Sequence, residues 1–214
     1  VEELMVEMHL LAVNVDFRYD PFYALGVVTS FDRFMQGYRP EHDKESIFNG
    51  LCQAIEADPQ RYRQDATRLQ TLATRLSVKD LVAWLQRSLS VPEFEDLQFQ
   101  AQAVTENPKF KYSRLLAIGI YTLLELSDPE LVKDEAQRLD ALKQVCTVLN
   151  LPTEKLQKDL ELYSSNLEKM AQARIVMEDA LQAERKKRED REKAKAAASA
   201  TDSNEAKGEA PSGS

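Results

Sequence analysis

The stretch DPFYALGVVTSFDRFMQGYRPE, residues 20–41, decides the class of fold. It opens on Asp20-Pro21, the pair that suits a helix start: an aspartate at the N-cap accepts an orphan amide, and a proline in the first helical position has no amide to leave unpaired. From there Ala24, Val27, Val28, Phe31, Phe34, Met35 and Tyr38 recur at helical spacings, while Thr29, Asp32, Arg33 and Gln36 gather on the other stripe. The pattern predicts a helix over 21–38 with one core face and one available face. The exit Gly37-Tyr38-Arg39-Pro40 reads as a glycine-terminated C-cap followed by proline.

The same punctuation recurs outward from this stretch. Asp58-Pro59, Asn107-Pro108 and Asp128-Pro129 each predict a further helix start, Ser90-Val91-Pro92-Glu93 a capping box, and Ser77-Val78-Lys79-Asp80 a weaker one. The helices expected are 1–14, 21–38, 43–57, 59–76, 78–89, 91–106, 108–126, 129–149 and 153 to about 193. Residues 112–126 are apolar nearly all round, and Gly119 in their middle lets a neighbouring backbone come close, so this helix belongs at the centre. The chain has only 6 glycines in 214 residues, too few for many tight turns or for a glycine-rich phosphate loop. The fold class is therefore all-α: a multi-helix bundle with a long C-terminal helix.

That last helix follows from what is missing, because between Pro152 and Gly208 there is neither proline nor glycine. Leu156, Leu160, Tyr163, Leu167, Met170, Arg174, Met177, Leu181, Glu184 and Arg188 alternate spacings of four and three, a partly coiled-coil-like seam that begins apolar and turns polar. The expected organisation is an acidic bundle over 1–152, a long helix over 153–193 whose second half extends into solvent or pairs with a partner, and a disordered polar tail over 194–214. Charge divides at the same place: residues 1–152 carry 16 basic and 23 acidic groups, residues 153–214 carry 12 and 13. A net charge of −8 argues against a nucleic-acid binder, which needs a basic face to release phosphate counterions.

Catalytic chemistry is not visible in the sequence. His9 and His42 are the only histidines, and neither has the carboxylate spacing of a metal helix; His9 is expected at the edge of the core and His42 in a loop. Cys52 and Cys146 lie on apolar helix faces without metal or redox spacing, as buried thiols of a reducing compartment do. The basic cluster Arg185, Lys186, Lys187 and Arg188 runs straight into Glu189 and Asp190 and reads as a solvated helix face. No apolar run reaches the ~18 residues of a membrane span, and the opening residues look like the middle of a helix whose natural start has been trimmed or processed. A non-enzyme without cofactor or metal is expected. The candidate functional residues are those that packing does not require, Asp32, Arg33, Gln36, Tyr38 and Arg39, a partner-binding surface rich in the residue types that carry interface energy. The competing structural account is that Asp32 and Arg33 close local ion pairs and Tyr38 packs on the next helix.

HLLAVNVDFRYDPFYALGVVTSFDRFMQGYRPE (9–41), IFNGLCQAI (47–55) and KYSRLLAIGIYTLLEL (111–126) together resemble the thylakoid formation protein family of cyanobacteria and chloroplasts, also called photosystem II biogenesis proteins. The resemblance runs over about residues 1–185; the family's usual leading segment, a basic and aromatic helix, is not among these residues. It implies a non-catalytic accessory role in photosystem II biogenesis or repair and thylakoid membrane formation, at the cytoplasmic or stromal side of the thylakoid, soluble or peripheral. It also implies an FtsH-type thylakoid protease complex as partner. The alternative from the heptad seam is a homo-oligomeric coiled-coil scaffold at that membrane, with a homodimer the less favoured state.

Overall fold

The computed structural model describes the backbone of residues 1–205 and the side chains of 1–193. Those residues form helices α1 Glu2–Ala12, α2 Pro21–Phe34, α3 Asp43–Gln53, α4 Pro59–Arg75, α5 Val78–Leu85, α6 Glu95–Glu106, α7 Arg114–Ser127, α8 Glu135–Leu149 and α9 Thr153–Glu205, with 3₁₀ turns at Pro92–Phe94 and Leu131–Lys133. Among them there is no strand, and no helix is long and apolar enough to cross a membrane. The tail expected to be disordered, 194–214, lies outside the described side chains, and from 206 outside the described backbone.

Helix α2 starts as its sequence dictates. The Asp20 carboxylate accepts the Tyr23 amide at 2.9 Å, and Pro21 occupies the first helical position. Every residue from 21 to 31 is then buried, so the helix is central rather than one-faced. The available polar face expected over residues 29–36 is thus much shorter: Thr29 and Ser30 lie inside, and solvent is reached only from Asp32. The reason is that both α7 and α4 pack along α2, leaving none of its first three turns uncovered.

The α2–α7 crossing is set by two glycines. A Cβ on Gly119 would lie 1.9 Å from the Phe22 carbonyl oxygen, and one on Gly26 would lie 1.7 Å from that of Leu115. The two backbones therefore touch at reciprocal positions, closer than the ~8–10 Å axis separation of helices held apart by side chains allows. Gly119 behaves as its sequence context predicts. Gly26 is its unforeseen counterpart.

Only two of the four acid- or amide-proline pairs open α-helices. Asp58 caps α4 through the Gln60 amide at 2.9 Å, matching Asp20. Asn107 instead accepts from Lys109 in a short turn, and α7 begins later, where Ser113 accepts the Leu116 amide at 3.1 Å. The intervening strip stays extended enough for the Tyr112 hydroxyl to donate to Asp159 on α9 at 2.8 Å. Asp128 accepts from both Glu130 and Leu131 and starts a 3₁₀ turn; Asp134 is the residue that caps α8. The capping box at Ser90 does not form either. Its glutamate, Glu93, pairs with Arg75 at 2.5 Å, while buried Phe94 draws Pro92–Phe94 into a 3₁₀ turn. Ser77 and Asp80 do close the weaker version, with the Ser77 hydroxyl donating to Asp80 at 2.7 Å and accepting its amide.

The chain divides into two compact units, Val1–Leu167 and Glu168–Ser214. The first has one continuous core, running from Leu4 and Met8 of α1 through Trp84 of α5 to Leu156, Leu160 and Tyr163 in the first turns of α9. Cys52 and Cys146 are buried free thiols within it. Burial raises the pKa of both, Cys52 to about 11, which suits packing residues rather than nucleophiles. In the second unit Met170, Ile175, Val176, Met177 and Leu181 are exposed.

Candidate partner surface

Helix α2 ends at Phe34, four residues before the expected 38, with Met35 as its C-cap. Gly37 follows with a φ of 81°, the left-handed position that glycine adopts without strain. This turn releases the chain from the core at Tyr38, whose amide still bonds back to the Met35 carbonyl at 3.1 Å.

The five candidate residues fall into two groups. Asp32 and Arg33 are neighbours in sequence but engage different helices. Both Asp32 carboxylate oxygens accept from Nη1 of Arg63 on α4, at 2.8 and 2.9 Å. Arg63 in turn lies over the Phe48 ring at 4.1 Å, so this ion pair closes over an aromatic of α3. Arg33 donates to Glu125 of α7, with its guanidinium near the buried ring of Tyr163 on α9. Burial alone disfavours that charge, but Tyr163 and Glu125 outweigh it and hold the Arg33 pKa above its ordinary value. Both side chains are thus engaged in ion pairs, but with other helices rather than locally as the competing structural account has it. Gln36, Tyr38 and Arg39 form the second group and are exposed, Tyr38 at 40%; Tyr38 is not packed under the next helix.

The chain belongs to the thylakoid formation protein family. The family described as "Thylakoid formation protein" matches residues 1–192. Protein Thf1 of Trichormus variabilis is 65% identical over 192 residues, which are 90% of this chain and 82% of that protein. Protein Thf1 of Nostoc punctiforme is 65% identical over 191 residues. A solved structure of Psb29 shares the fold, with a TM-score of 0.74 at 41% identity over 87% of this chain and 86% of that one. Membership gives the helical architecture and a thylakoid-related setting at once.

Among the described residues no group of three or more histidine, cysteine and acidic side chains is placed to hold a metal. His42 sits exposed, 3.1 Å from Asp43. His9, expected at the core edge, is exposed on the last turn of α1, because Leu4, Met8 and Leu11 supply the buried stripe and leave position 9 outside it.

A second feature was not foreseen from the sequence. Helix α1, residues 111–114 and the start of α9 enclose an open groove of about 1050 Å³. Val6, Leu10 and Leu162 line it as exposed apolar side chains. The signal was present: Val6 and Leu10 of α1, with Val13 at its C-cap, share one face's spacing in addition to the buried stripe, so the helix is apolar on two faces.

Proposed function

We propose that this protein is a non-catalytic accessory factor for photosystem II biogenesis or repair and thylakoid membrane formation. It supports the accumulation or assembly of the FtsH-type thylakoid protease from the cytoplasmic or stromal side of the membrane. The observation that carries this reading is membership of a family named for thylakoid formation, in a chain that exposes a turn carrying tyrosine and arginine at the end of its central helix.

The contact is assigned to the turn of Gln36, Tyr38 and Arg39, flanked by the Asp32 pair. Tyrosine and arginine supply large contact area and directed hydrogen bonds, the features of interface anchors. Arg33 holds the turn's base in place through Glu125 and acts by positioning. Affinity purification of the tagged protein from thylakoid extracts is expected to recover protease subunits, and a Tyr38→Ala, Arg39→Ala variant to lose them without a change in thermal midpoint. Unchanged recovery with that variant would rule out the turn; no protease subunits with the unaltered chain would rule out the partner. The exposed apolar residues from Met170 to Leu181 favour a second reading, a homo-oligomeric coiled-coil scaffold, which Met177→Glu and Leu181→Glu would dissociate.

A further inference from the structure

Among the described residues, five buried side-chain polar atoms bond to no other protein group: the hydroxyls of Tyr23, Thr29, Ser30 and Tyr163 and the Trp84 indole nitrogen. Two of them, Ser30 on α2 and Tyr163 on α9, line the same small cavity, and they are only 1% and 4% exposed. Each departs from how its type behaves elsewhere in the chain. A hydroxyl inside a helix can bond back one turn, as Thr122 does to the Ile118 carbonyl and Thr67 to that of Arg63, both at 2.8 Å; Ser30 makes no such bond. Tyr19 and Tyr112 donate to Asp65 and Asp159 at 2.7 and 2.8 Å, whereas the Tyr163 hydroxyl has no acceptor. Burial raises the Tyr163 pKa while Arg33 and Ser30 oppose the rise, so both face the phenol, yet neither meets it at bonding geometry. A buried hydroxyl left unpaired costs free energy, and here two stand together.

We propose that this cavity is a binding site for one structural water molecule, which bridges the Ser30 and Tyr163 hydroxyls and so ties α9 to α2. The size selects the ligand: the cavity measures about 20 Å³, room for one water and for no organic molecule. The chemistry agrees. Serine and tyrosine hydroxyls both donate and accept, so the two bonds can run in either direction. The Glu7–Arg114 pair and Asn166 line the same space and bring it to the two to four polar partners that a buried water takes. The place gives the bridge its use. Tyr163 is the last buried residue of α9 among the described side chains, and positions 165–167 are only partly covered. The water therefore secures the last turn of α9 that packs into the core of the first unit. This site is separate from the turn after α2.

A crystal structure of the full chain, at a resolution that orders waters, is expected to show one water within about 3.2 Å of both hydroxyl oxygens. A direct bond between the two hydroxyls, or a dry cavity, overturns the proposal. Oxygen-17 relaxation dispersion reads the same site in solution: Ser30→Ala with Tyr163→Phe should lose one long-lived water relative to the parent, and an unchanged number overturns it. Both substitutions remove a single oxygen and keep the packing, so both variants should fold. Each alone is expected to lower the folding equilibrium constant about tenfold. The two together should cost far less than the roughly hundredfold of independent losses, because a water deprived of one partner no longer serves the other. Losses that multiply to about hundredfold overturn the bridge. Recovery of protease subunits through the Tyr38 turn is read separately and stands or falls independently.

Discussion

The first three turns of α2 and the stretch of α9 after Glu168 are both helical, for different reasons. In α2 every residue from 21 to 31 is buried, including two β-branched valines and a glycine, residues of modest or poor helix propensity. Burial against α4 and α7 overrides that local preference. From residue 168 to 193 almost every side chain is exposed, and Ala, Glu, Lys, Arg and Gln predominate; there the helix rests on propensity and on i,i+4 pairs such as Arg188 with Glu192 at 3.1 Å. One helix is imposed by its neighbours and the other by its own residues. Their responses to substitution should differ accordingly.

The largest effect belongs where backbone meets backbone. Gly119→Ala or Gly26→Ala puts a methyl inside 2 Å of a carbonyl oxygen, and since that oxygen belongs to a helix, relief requires moving α2 and α7 apart. Each substitution is expected to cost about 3 kcal/mol or more, at the upper end of overpacking, measured by denaturant unfolding. Gly50, in α3, has nothing within 4 Å of its missing Cβ. Gly50→Ala should therefore stabilise, by about 0.5–1 kcal/mol, from helix propensity alone. Equal behaviour of the three glycines would contradict the close crossing.

The cap of α2 should impose a pH dependence that an exposed helix cannot show. Burial pushes the Asp20 carboxyl up to about 7, although the Tyr23 and Phe22 amides oppose the shift. The folded chain then holds a proton that the unfolded chain gives up near its ordinary value of 3.8. Asp20's contribution is thus fully present below that ordinary value, falls as pH rises, and levels off above 7. Asn can accept the same amide without charge, so Asp20→Asn should be more stable than the parent at pH 8, by on the order of 2–4 kcal/mol, and the gap should close toward pH 4. A gap of constant size would refute the buried, proton-holding cap.

At the other end of α2 the effects shrink. Arg33→Ala breaks a half-buried pair with Glu125 and should cost about 1–2 kcal/mol by thermal unfolding. Asp32→Ala frees a more exposed carboxylate from Arg63 and should cost less than ~1 kcal/mol. Reversal of that order would mean that the turn after α2 is held from the α4 side.

What could be read in advance follows the same division. Local chemistry was legible: Asp20 and Asp58 cap helices, Ser77 and Asp80 bond each other, and Gly119 marks a close approach. What failed was decided by residues distant in sequence. Glu93 is taken from Ser90 by Arg75, and Asn107-Pro108 cannot start a helix while Tyr112 reaches Asp159. A single helix pattern cannot report how many neighbours cover it, which is why the free face of α2 was overestimated. The candidate surface was legible by the same measure: Tyr38 and Arg39 follow a turn that glycine announces, whereas the partners of Asp32 and Arg33 lie 31 and 92 positions away.

The smallest predicted effect is also the most discriminating. Met177 and Leu181 are 66% and 56% exposed, so replacing either with alanine removes little buried surface and introduces a better helix former. Each should change stability by less than ~0.5 kcal/mol in either direction, read by circular dichroism at low protein concentration. A helix standing on propensity tolerates such changes, because no neighbour depends on the lost atoms. A destabilisation above ~1 kcal/mol that grows with protein concentration would mean that these side chains are buried against another copy, and the second unit would then owe its helix to packing as α2 does.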